Sequence, residues 1–159
     1  MIITADVHHR IPATTPAPTE RGETESSALW VMPAAPQTAP VLRRLLRRAT
    51  CRWEVAGETA EAVALVVTEL AGNAIRHSGS TDVAVLLARH QDRIVVQVKD
   101  TGRWLPRPPC AEADSQEACG GRGLQLVRAY TTRCTVTSGP SGTLVVAEIP
   151  AIPDTGRTA

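Results

Sequence analysis

Glu69, Asn73 and His77 place a carboxylate, a carboxamide and an imidazole four residues apart in an otherwise apolar stretch. At about 100° per residue they share one edge of a helix, beside a stripe of Val63, Val66, Val67, Leu70 and Ala74. Polar groups at the margin of a buried stripe cost on the order of 1–3 kcal/mol each when left unpaired. Neighbouring backbone or a ligand must satisfy them. Three glycine-bearing segments follow. Asp100-Thr101-Gly102 sets an acid at the end of a strand-like run, ahead of a turn glycine. Gly120-Gly121-Arg122-Gly123-Leu124 precedes a helical run, where glycines let successive N–H groups point at an anion and the helix dipole adds to the attraction. Gly142-Thr143 opens the last apolar run. Singly, an Asp-x-Gly turn and a Gly-Thr strand entry are ordinary. The second segment is neither a P-loop, lacking Gly-Lys-Ser/Thr, nor a dinucleotide fingerprint, lacking the third glycine and a βαβ unit.

The elements that must position these residues follow from periodicity and breakers. Residues 1–26 are rich in Thr, Pro, Ala and Glu and read as a disordered tail. Ala28 to Val31 reads as a short first strand, ended by Pro33 and Pro36. Val41, Leu42, Leu45, Leu46 and Ala49 predict a helix from Thr38 to Trp53, with Arg43, Arg44, Arg47 and Arg48 on its solvated face. After Gly57 a second helix, 58–77, carries the polar line. Asp82 to Ala88 and Arg93 to Lys99 form a hairpin around His90-Gln91-Asp92. A loop of about twenty residues follows, and loops that long are functional or mobile. A third helix is expected from Gly123 to Tyr130, then strands Arg133 to Thr137 and Thr143 to Ile149 around a Gly-Pro-Ser-Gly turn. The order β-α-α-β-β-loop-α-β-β predicts an α+β fold: a two-layer sandwich with helices on one face of a mainly antiparallel, mixed sheet. The domain is placed at 27–150, with a C-terminal tail at 151–159.

Bulk composition narrows the function classes. A chain of 159 residues is long enough for one core. At a net charge of +1, charge alone gives no sign of a polyanionic partner. Without phenylalanine and with one tyrosine, it offers no stacking platform for single-stranded nucleic acid. No run reaches the roughly 18–20 apolar residues of a membrane span, and the N-terminus lacks a basic segment ahead of an apolar core, so a cytoplasmic protein is expected. Cys51, Cys110, Cys119 and Cys134 are scattered without a C-x-x-C pair and read as free thiols.

In this order and spacing, the four segments resemble the nucleotide-binding boxes of the GHKL ATPase/kinase superfamily, over about residues 28–150. Glu69 to His77 is similar to the N box, Asp100 to Gly102 to the first glycine box, Gly121 to Leu124 to the second, and Gly142-Thr143 to the terminal Gly-Thr. Within the superfamily the chain resembles the stand-alone bacterial anti-sigma-factor serine kinases of the RsbW and SpoIIAB type, and its arginine-rich composition resembles actinobacterial members. The resemblance implies the Bergerat ATP-binding fold, with ATP and Mg²⁺ as cofactors. Asn73 then corresponds to the metal-holding asparagine and Glu69 to the general base acting on a serine hydroxyl. Asp100 corresponds to the acceptor for the adenine amino group, and Gly102 allows close approach of the base. Thr143 holds adenine through its hydroxyl and a water, while the backbone of Gly121, Arg122, Gly123 and Leu124 cradles the phosphates. Residues 103–120 correspond to the ATP lid, and Trp104 departs from a second glycine found in many first boxes.

Plainer readings stand beside these. Glu69 and Asn73 are then a polar edge satisfied by backbone, Asp100 a turn-capping acid, His77 a helix-end cap, and Arg122 a solvent-facing cation. By resemblance the chain is a serine/threonine kinase and anti-sigma switch. Its implied partners are a STAS-type antagonist, possible sigma-factor binding and a possible homodimer, without direct contact to nucleic acid or membrane. The alternative is a nucleotide-binding module that sequesters a partner without transfer. A histidine kinase catalytic domain is disfavoured by the short tail before residue 28 and the missing phenylalanine box.

Overall fold

The computed structural model describes residues 26–103 and 121–151. The elements run β1 (Ser26–Pro33), α1 (Thr38–Arg52), α2 (Gly57–His77), β2 (Asp82–Arg89), β3 (Arg93–Asp100), α3 (Gly121–Tyr130), β4 (Arg133–Gly139) and β5 (Gly142–Pro150). This is the expected order, with each strand one or more residues longer than its apolar pattern. β1 grows most, because pairing with β2 from Ser26↔Arg89 to Pro33↔Asp82 recruits Ser26, Ser27, Met32 and Pro33.

The five strands form one sheet in the order β1-β2-β3-β5-β4. Every neighbouring pair is antiparallel, so the expected mixed character is not found among the described strands. The reason is connectivity. The crossover through α3 returns the chain as β4 one place beyond β3's neighbour. The tight Gly139↔Gly142 turn then sends β5 back into the slot between them, antiparallel to both.

Period-2 alternation sets the layers. Trp30 and Met32, Val83, Val85 and Leu87, Ile94, Val96 and Val98, and Val145, Ala147 and Ile149 point to one face and are buried. The helices cover that face. α2 buries Val63, Val66, Val67, Leu70 and Ala74, the stripe anticipated from spacing, and with them Ala62 and Ala71. Full burial of each valine or leucine contributes about 1.5–3 kcal/mol, so this stripe fixes the rotation of α2 and thereby the heading of its polar edge. α1 buries Leu42 and Leu46 while its arginines stay exposed. The opposite sheet face is only partly covered, with Leu29 and Val31 exposed. No helix among the described residues is long and apolar enough to cross a membrane. Cys51 and Cys134 are free thiols, and burial pushes the Cys134 thiol pKa up against the opposing pull of Arg128. Cys110, Cys119 and the terminal tails lie outside the described residues.

Candidate functional site

Sheet register brings two of the sequence-selected residues face to face. Asp100 ends β3, Thr143 begins β5, and the two are Cα partners. Asp100 continues the parity of Val96 and Val98, so its carboxylate points into the helix layer, and both residues are 3 % exposed. A buried carboxylate needs partners. The Gly102 N–H donates to Asp100 Oδ1 at 3.1 Å, an Asx-type turn. A carboxylate has about four acceptor sites, and this bond uses one of them. The Thr143 hydroxyl lies 3.2 Å from that of Ser138, its β4 partner.

Glycines let this end of the sheet close on itself. A side chain at Gly102 would collide with the Ser78 carbonyl and come within 2.7 Å of Ser80 N. Gly142, at φ +111°, would bring a side chain onto the Asp100 carbonyl and within 2.7 Å of Thr101 Cα. Close approach at Gly102 is therefore made by the chain's own backbone. Hydroxyls complete the tie. Ser78 Oγ donates to the Ala74 carbonyl at 2.6 Å and accepts from Ser80 N at 3.1 Å, while Ser80 Oγ accepts from Thr101 N at 3.1 Å. The end of α2 and the end of β3 are thus linked through Ala74, Ser78, Ser80 and Thr101. No spacing rule exposes such a hydroxyl relay before the fold is known.

The other end of the site lies on helix surfaces. Glu69 and Asn73 are half-buried, as margin positions must be, whereas His77 is exposed in the last turn. The polar line is thus graded along its length. α3 begins at Gly121, which makes Gly121, Arg122, Gly123 and Leu124 its first turn, with amides not committed within the helix. Gly123 packs against Glu69, whose carboxylate oxygen occupies the space a Cβ would need, with Glu69 Cδ 3.3 Å from that position. Glu69 therefore lies against the first turn of α3 at Gly123. Arg76 was not anticipated. Its Nη2 donates to Asn73 Oδ1 at 3.0 Å. Trp104 and residues 104–120, most of the expected lid, lie outside the described residues.

Among the described residues no three His, Cys, Asp or Glu side chains cluster as a metal site. Asn73 Oδ1 is a hard oxygen that already accepts from a cation, which suits one ligand of a magnesium ion completed by phosphates and water. A cleft beside Glu58, Thr59, Ala62, Tyr130 and Thr132 lies at the N-terminal end of α2, away from this polar edge.

The family model described as histidine kinase-like ATPase domain matches residues 32–149. No curated protein matches the chain. The structure of the RsbU and RsbW domains of Rv1364c from Mycobacterium tuberculosis is similar, with TM-score 0.60 and 18% identity over 79% of this chain and 33% of that one. At that identity the likeness is one of fold, and this chain spans a third of the other's length. Two structures of a blue-light activated histidine kinase from Erythrobacter litoralis are 31% identical. They cover 59% and 61% of this chain and 45% and 32% of theirs, with TM-scores of 0.43 and 0.47.

Proposed function

The chain belongs to the histidine kinase-like ATPase domain family, and from that premise we propose that it is an ATP-dependent serine/threonine protein kinase acting as an anti-sigma switch on a STAS-type partner. ATP binding is the family's coarse property. The single observation that carries the finer reading is the meeting of Glu69 with the first turn of α3 at Gly123. A binding module needs amides for phosphate; it does not need a carboxylate beside them.

In this reading adenine lies at the Asp100–Thr143 end, its amino group donating to the Asp100 carboxylate. The first turn of α3 receives the phosphates, with Asn73 Oδ1 turned toward them. When bound, magnesium neutralises charge on the phosphate oxygens. Phosphoryl transfer is mostly positioning and charge neutralisation, so the chain's own work is brief. Glu69 takes the proton of an incoming serine or threonine hydroxyl as its oxygen bonds to the terminal phosphorus. The bond to the bridging oxygen breaks and ADP leaves. A general base contributes about 10²–10⁴-fold when it reaches the proton it removes.

The test incubates the protein with Mg-ATP and candidate STAS proteins and maps acid-stable phosphoserine or phosphothreonine. Transfer in wild type, lost in Glu69→Ala with ATP still bound, supports the kinase. ATP binding without transfer to any cognate partner gives the sequestering module instead.

A further inference from the structure

Arg76 stands one turn beyond Asn73 on the exposed edge of α2. Its guanidinium has five donors and no acceptor, so the oxygen of the Asn73 carboxamide, not the nitrogen, must face it, as the 3.0 Å contact has it. A second feature seats it. A Cβ at Gly72 would lie 3.2 Å from Arg76 Nη1, 3.5 Å from Nη2 and 3.6 Å from Cζ. The guanidinium thus rests over the bare backbone of the preceding turn. Among the described residues Arg76 makes no ion pair with a carboxylate. Its charge is directed at a neutral amide oxygen.

Asn73 has one oxygen. A divalent cation and a guanidinium cannot share it at close range, because a hard cation needs the lone pairs directly and the two charges repel. We propose that Arg76 is a resident cation that occupies Asn73 Oδ1 in the nucleotide-free protein and sets how much divalent cation is needed to load the site. Loading then exchanges one cation for another. The exchange raises the metal requirement and keeps the carboxamide turned oxygen-outward, ready for the ion. The inference rests on the proposed role of Asn73 as metal ligand.

The test follows binding of a non-hydrolysable ATP analogue to the full chain while Mg²⁺ is raised from an EDTA baseline. In Arg76→Ala the half-saturating Mg²⁺ falls about fivefold, the scale of one charge-assisted hydrogen bond at an exposed site, while metal-free affinity changes less than about twofold. In an Asn73→Ala background the Arg76→Ala shift disappears. An unchanged Mg²⁺ midpoint in Arg76→Ala overturns the proposal. So does a fall in metal-free affinity by the same factor, which would make Arg76 a phosphate ligand, or a shift that persists without Asn73, which would make it a bulk charge effect. Those three results leave the kinase reading standing. If wild type binds no analogue at any Mg²⁺ concentration, or Asn73→Ala keeps the wild-type Mg²⁺ dependence, the reading of the site falls and the inference with it.

Discussion

A methyl group added at Gly102 or Gly142 meets backbone: the Ser78 carbonyl in one case, the Asp100 carbonyl in the other. Added at Gly123, it meets the tip of the Glu69 side chain. That contrast separates the two ends of the site. The Asp100–Thr143 end is held by sheet register, two glycines packed on main chain, and a hydroxyl relay through Ser78 and Ser80. The Glu69–Asn73 end is held by side-chain tips on two helices, with Arg76 on Asn73 and Glu69 on Gly123. Main-chain packing has few alternatives, whereas side-chain tips change rotamer at little cost. A site that recognises a flat base and rearranges around phosphates is served by a fixed end and an exchangeable one.

Substitutions at each end should therefore fail differently. The largest effect is expected from Glu69→Ala: phosphotransfer falls by about 10²–10⁴-fold, with nucleotide affinity and unfolding midpoint near wild type. Transfer at the wild-type rate would remove Glu69 from the chemistry. Next is Gly142→Ala, which combines a backbone collision with a side chain at φ +111°. It should lose about 3 kcal/mol or more in urea unfolding, and a loss below about 1 kcal/mol would show that the fixed end yields after all. Asp100→Asn comes third. Asparagine still accepts from Gly102 N–H, so the fold holds. Part of its acceptor capacity becomes a donor where the proposed site sets the adenine amino group, and nucleotide affinity should fall about 10–100-fold by calorimetry. Unchanged affinity would move adenine elsewhere.

How much of this was legible in the sequence differs between the two ends. The α2 stripe was readable because valines and alanines at helical spacing have one way to be buried, and the polar edge followed from it. The extent of β1, the all-antiparallel pairing and the Asp100–Thr143 contact were not. Register is a property of two strands, and nothing local in Gly142-Thr143 says that it will lie opposite Asp100. The close approach of Gly102 to the Ser78 carbonyl was likewise not readable from an Asp-x-Gly turn. Arg76 escaped notice because an exposed arginine at the end of a helix has an ordinary explanation in the dipole. Only its bond to Asn73 and its seat over Gly72 set it apart from Arg43, Arg44, Arg47 and Arg48 on α1.

Gly123→Ala has the smallest expected effect on folding and bears most directly on the contrast between the ends. Alanine is favoured over glycine within a helix by up to about 1 kcal/mol, and the atom in its way is the end of a flexible carboxylate. Glu69 is half-buried, so its carboxylate can swing toward solvent. Stability should stay within about 1 kcal/mol of wild type, because the helix gain offsets the lost packing. The displaced carboxylate no longer reaches the hydroxyl as well, so transfer should slow by about tenfold, since small misplacements of a reacting group are costly. Unfolding midpoint and transfer rate measured on the same preparation separate the two. If Gly123→Ala unfolds as readily as Gly142→Ala, the phosphate end is as rigid as the base end. If neither quantity moves, Glu69 does not depend on its place beside α3.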